Sequence, residues 1–141
     1  MNHEQAAIEE LLFQSGAHLD IENPKWENGF IGMLRPFNTK LSEDNFHKIV
    51  NALHVLSDEF SHNNIRKEII SSIWGICHLT KTWAINSEGI LQINSLITSE
   101  QIKQLENWTE HISHITFCLI DGCEKNIAFE DYNIEFNKNL I

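Results

Sequence analysis

The chain has 141 residues, 42% of them hydrophobic, with six glycines and two prolines, which suits one domain with one ordinary core and excludes a disordered or low-complexity segment. Its formal net charge is −10, from ten basic against twenty acidic residues. Nucleic acid is therefore disfavoured as a partner, because displacing counterions from phosphates needs a positive footprint, and so is an anionic membrane surface.

The opening MNHEQAAIEELLFQS has neither the positive start nor the unbroken apolar run of a secretory signal. No apolar stretch reaches the ~20 residues that span a bilayer, so a cytoplasmic protein is expected. Cys77, Cys118 and Cys123 are odd in number and lack disulfide or zinc-ribbon spacing, as expected of reduced thiols.

In chain order, residues 3–15 read as a first helix, with Ile8, Leu11 and Leu12 on one side and Gly16 as the stop. Residues 16–40 are punctuated by Gly16, Pro24, Asn28-Gly29, Gly32 and Pro36, yet Trp26, Phe30, Ile31, Met33 and Phe37 are too apolar for a free linker. An ordered irregular segment is expected here, with FIGML as a short strand.

A second helix over 42–61 opens on Ser42 as N-cap, with Glu43 and Asp44 in the first turn and Phe46, Ile49, Val50, Leu53, Leu56 and Phe60 along one stripe. A third runs over 65–84. Its apolar arc takes in Ile69, Ile73, Trp74, Ile76, Cys77 and Trp83, wide enough to predict a central helix between neighbours whose tryptophans belong to the fold. A fourth over 99–121 opens on a capping box, Thr98 with Gln101, follows Leu105, Trp108, Ile112, Ile115 and Leu119, and stops at Gly122. The tail 123–141 reads as a strand, an extended arm or a last short helix. The expected fold is all-α, an antiparallel four-helix bundle in one domain with an irregular aromatic-rich segment.

Four groupings bear on function. Cys77 and His78, within IWGICHLTKTW, are neighbours pointing about 100° apart on a helix, so the spacing makes no thiolate–imidazole pair. Gly75 beside them lets another helix approach closely. His111, His114 and Cys118 at i, i+3 and i+7 share one flank of the fourth helix, a pattern from which a zinc site or a thiol enzyme is built, though a fourth ligand is not visible. His54, Asp58 and His62 form a ladder with His47 behind it, of the kind that binds a divalent ion weakly or senses pH. Finally, the negative charge gathers at the two ends. Residues 1–30 hold one lysine against six acids, and residues 101–141 hold three against seven.

Those ends also carry large aromatics. Trp26 and Phe30 stand among Asp20, Glu22 and Glu27, and Tyr132 stands among Glu130, Asp131 and Glu135. Rings for buried contact and carboxylates for steering suit a basic protein partner. The leading expectation is a non-enzymatic binding or inhibitory protein without a cofactor. Immunity proteins that neutralise toxins follow this physical logic, though no motif identifies one. The alternatives are a metal or thiol enzyme on His111, His114 and Cys118, and a self-associating helical subunit such as a homodimer.

Overall fold

The computed structural model describes residues 2–141, and among them the fold is all-α, with no sheet. Four long helices carry it: α1 (His3–Gln14), α4 (Glu43–Val55), α5 (Lys67–Thr80) and α7 (Ser99–Ile120). Short ones fill the connections: α2 (Pro24–Glu27), α3 (Phe30–Leu34), α6 (Ile90–Ile93), α8 (Lys125–Ala128) and α9 (Glu130–Phe136). The long helices pack in a ring, α1 against α4 and α5, α7 against the same two. This arrangement is compatible with the expected four-helix core.

The helix ends follow local chemistry. Asn2 Oδ1 accepts from the Gln5 N–H at 2.7 Å to start α1, and Thr98 and Gln101 cap each other at the start of α7. Both α1 and α7 end on a left-handed glycine. Gly16 has φ +72° and Gly122 φ +87°, and the N–H groups of Ala17 and Cys123 reach back to the carbonyls of Leu12 and Cys118 at 2.9 Å. That reversal satisfies two terminal carbonyls, and only glycine adopts it without steric cost.

The expected helix over 42–61 is divided. After Val55 the chain tightens into a 3-10 turn, Ser57–Ser61, in which the Ser57 hydroxyl donates to the Leu53 and His54 carbonyls and competes with the α-helical pattern. The next helix likewise passes into a π turn over Lys81–Ile85, where Gln92 Nε2 donates to the carbonyls of Ala84 and Ile85. FIGML is helical rather than a strand. Gln14 Oε1 accepts from the Phe30 N–H at 2.7 Å, supplying the cap that Gly29 has no side chain to give, and Asn45 Nδ2 holds the Asn28 carbonyl at 2.9 Å.

The core is aromatic at the α4–α7 contact. Trp108, 2% exposed, stacks on Phe46 with centroids 5.7 Å apart and meets the edge of Phe30 at 6.1 Å. Burying such a side chain stabilises by about 1.5–3 kcal/mol, and truncating it to alanine costs about 3–5 kcal/mol.

One expectation is corrected here. The third long helix does not run through the centre. It buries Ile69, Ser72, Ile73, Ile76 and Thr80, but Trp74 on its outer side is 73% exposed. Nothing stands within 4 Å of a Cβ built on Gly75, so no helix of this chain uses that glycine for close approach. A wide apolar arc has two explanations, neighbours on both sides or an uncovered outer face, and α5 has the second.

Candidate functional site

Helix α1 ends in a loop whose geometry His18 sets. Its ring stacks on Phe13 at 3.7 Å, Nε2 lies 3.1 Å from Glu9 Oε1, and Nδ1 accepts from the Asp20 N–H at 3.0 Å. Held this way, the loop projects Leu19, 95% exposed, and Ile21, 70% exposed, to either side of Asp20 and next to Glu22. Asp20, Glu22 and Glu27 are exposed as well. Trp26 is half-buried, with its ring against Gly16 and its indole N–H enclosed without an acceptor. Phe30 is fully buried, so this ring is core and does not face a partner.

At the other end, Glu130, Asp131 and Glu135 are exposed, but Tyr132 is 1% exposed and is core as well. Its ring packs among Phe46, His47 and Phe136, and its hydroxyl lies 2.7 Å from His47 Nδ1. Burial, then the Glu43 carboxylate, pushes the phenol up to about 12. A tyrosine among acids carries no signal in one sequence that separates a docked ring from a presented one. The exposed apolar side chain on α9 is Ile134.

Both acidic stretches touch the first turn of α4. Asn45 holds Asn28, next to Glu27, while His47 links Glu43 at 3.1 Å to Tyr132, next to Asp131. Glu43 and Asp44 on that turn are exposed, with Asp44 paired to Lys48 at 3.2 Å. Such a surface can offer carboxylates around small aliphatic knobs.

The three residues grouped for metal do not converge. His111 Nε2 lies 3.0 Å from Glu135 Oε1 and His114 Nε2 lies 3.7 Å from Asp131 Oδ2. Both histidines are thus turned to the acids of α9. The Asn107 amide and then His111 hold the Glu135 carboxyl below its usual range. Cys118 is a buried free thiol, 3.6 Å from His114 Nε2, and burial, followed by a hydrogen bond with the free thiol of Cys123, raises it. Among the described residues no three histidine, cysteine, aspartate or glutamate side chains form a metal-holding group.

The ladder of His54, Asp58 and His62 is broken by the end of α4. His54 Nε2 meets the Ile141 carbonyl at 3.0 Å and its ring meets the edge of Phe129, whereas His62, just past the 3-10 turn, pairs back to Glu59 within it. Cys77 faces the Thr109 carbonyl at 3.9 Å, with its thiol pushed to about 11 by burial and then by Glu110. His78 is exposed. The pair makes no nucleophile.

A second surface lies between α5 and α7. A groove of about 530 Å³ is lined by Ile70, Ile73, Trp74, Phe117 and Ile120, with His78 and Lys81 toward one end. Phe117 is 64% and Ile120 50% exposed. Sequence periodicity assigned Trp74 to the core because residues 65–84 carry apolar side chains on two sides, and nothing local says which side is covered.

No helix among the described residues is long and apolar enough to cross a membrane. Compared with family models, curated proteins and solved structures, the chain matches none.

Proposed function

We propose that this chain is a small binding or inhibitory protein, working in the cytoplasm, that engages a basic protein partner through its acidic surface in the manner of an immunity-type inhibitor of a toxin. The observation that carries the reading is the pair Leu19 and Ile21, held out beside Asp20 and Glu22. Exposed aliphatic side chains rimmed by carboxylates combine desolvated contact with electrostatic steering. In this reading the anchors are Leu19 and Ile21, with half-buried Trp26 packed at Gly16 on the same connection. Ile134 with Glu130, Asp131 and Glu135 forms a second acidic cluster on α9, and a net charge of −10 draws cationic partners from a distance.

The test is capture by the immobilised chain at low salt, with polylysine as a charge-only control. A discrete basic protein should be retained and then released as salt rises. Asp20→Lys with Glu22→Lys should slow association about tenfold, and Leu19→Ala with Ile21→Ala should speed dissociation without altering circular dichroism. Salt-independent capture, polylysine binding of equal strength, or indifference to both double variants would sink the reading.

A further inference from the structure

We infer that the outer face of α5 is a self-complementary seam on which a second copy of this chain docks, antiparallel, about a two-fold axis between Trp74 and Gly75. This surface is separate from the acidic one, and the inference goes beyond the proposed function without depending on it.

Consider the outer stripe of α5: Glu68, Ser71, Trp74 with its half-buried neighbour Gly75, and His78, continued by Lys81 where the π turn opens, its residues spaced three and four apart along one face. A two-fold axis between residues 74 and 75 lays the stripe on itself in reverse. Trp74 of one copy then meets Gly75 of the other, His78 meets Ser71, and Lys81 meets Glu68. Each pairing is complementary: the largest side chain against the residue with none, a ring nitrogen against a hydroxyl, an ammonium against a carboxylate. Lys67 falls opposite Thr82, so no like charges face each other. An isologous interface requires this property, that one patch carries both halves of every contact.

The surroundings fit. Nothing lies within 4 Å of a Cβ built on Gly75, while Trp74 beside it is 73% exposed, so the patch carries a projection and a notch side by side. Phe117 and Ile120 flank the seam from α7 across the groove. Together these side chains make an exposed apolar patch of the kind that marks protein contacts, on the order of several hundred Å². Two chains of charge −10 repel each other, so copies meet most readily where carboxylates are few or paired. On the seam the one carboxylate, Glu68, falls opposite Lys81, and the groove beside the seam is lined by no aspartate or glutamate. Another protein's helix or an apolar small molecule would fill the groove without needing a stripe that complements itself in reverse.

Sedimentation of the full chain from about 1 to about 100 micromolar tests this, since a seam of one helix pair is at the small end of stable interfaces. The expected result is a monomer–dimer equilibrium in that range, abolished by Trp74→Ala. Lys81→Glu and Glu68→Lys should each weaken dimerisation about tenfold or more, because each sets like charges opposite at two symmetric places. Mixing the two variants should restore dimers, as both contacts of the mixed pair are then opposite in sign. Circular dichroism of each variant checks that it folds. A monomer throughout the range, a dimer indifferent to Trp74→Ala, or a mixture that dimerises no better than its components would overturn the proposal. So would a groove that takes up an amphipathic helical peptide while the chain stays monomeric.

Discussion

His47 on α4 and Tyr132 on α9 are joined by a hydrogen bond of 2.7 Å, with Glu43 at 3.1 Å from the other ring nitrogen. The carboxylate can only accept, so His47 Nε2 carries a proton, and in the neutral ring Nδ1 accepts from the phenol. A residue 85 positions away in sequence is thereby fixed to the first turns of α4.

Tyr132→Phe keeps the ring and loses the hydroxyl, and should lower stability by about 1 kcal/mol. Tyr132→Ala also removes the packing against Phe46 and Phe136 and should cost about 3–5 kcal/mol. Urea unfolding of both variants measures the difference, and equal losses would show that the ring contributes nothing.

Acid should loosen the C-terminal segment. Burial, only partly opposed by the Ile141 carbonyl, lowers His54 from its ordinary 6.5, so the unfolded chain takes up a proton more readily than the folded one. The stability this represents is full above pH 6.5 and is lost as pH falls through the lower folded value. Glu135 is also lowered, from 4.5, by Asn107 and His111, and its contribution, small because the side chain is 46% exposed, is lost below that pH. Protection factors of the amides in 125–141, which is exchange corrected for its intrinsic pH dependence, should therefore fall from pH 7 to pH 4, and His54→Gln should flatten the first part of the profile and Glu135→Gln the last.

Cysteine chemistry should be slow where the thiol is buried. With Cys77 at about 11, on the order of a thousandth of it is thiolate at pH 8, and the thiolate is the reacting species. Brief alkylation of native protein at pH 8 followed by mass spectrometry should leave Cys77 unmodified. Rapid labelling there would contradict the assignment of IWGICHLTKTW as non-catalytic.

Gln14 ties three elements together. Its carbonyl takes the Phe30 N–H, and its amide reaches Asn45 at 3.3 Å. Gln14→Leu keeps bulk but strands both groups, so a loss of about 1–3 kcal/mol is expected. If thermal unfolding is unchanged, the segment 16–40 is held by its apolar contacts alone.

The glycines should respond in opposite senses. At Gly32 a Cβ would collide with the carbonyl oxygens of Glu27 and Trp26, so Gly32→Ala should be severely destabilising. Gly75→Ala adds a methyl in open space within a helix and should stabilise the monomer by about 0.5–1 kcal/mol. Melting curves at submicromolar concentration compare the two.

Sequence pattern located the long helices because caps and periodicity are local properties. Ser42, Thr98 with Gln101, Gly16 and Gly122 mark ends within a residue or two of those observed. Where a distant partner decides, local reading fell short. FIGML looked like a strand since its cap comes from Gln14, sixteen residues upstream, and the helix over 42–61 looked continuous because the apolar stripe runs on through the 3-10 turn. At the candidate site the charges were legible and the anchors were not. Phe30 and Tyr132 are apolar enough to be either presented or buried, and only contacts to Trp108 and His47 show them to be core. Leu19 and Ile21 do carry a local signal, since LDIE alternates apolar with acidic residues in a stretch without helical period.

Trp108 and Trp74 stand at opposite extremes, one sealed against Phe46 and Phe30, the other open to solvent. Of the four tryptophans, Trp108 therefore emits in the blue, insulated from dissolved quenchers, and Trp74 in the red, reached by them, while half-buried Trp26 and Trp83 emit between the two and Trp74→Phe isolates the red part. Loss of the blue part registers collapse of the core, while shielding of the red part registers whatever settles on α5. Two processes that a single melting curve would merge can thus be followed separately in one unlabelled sample.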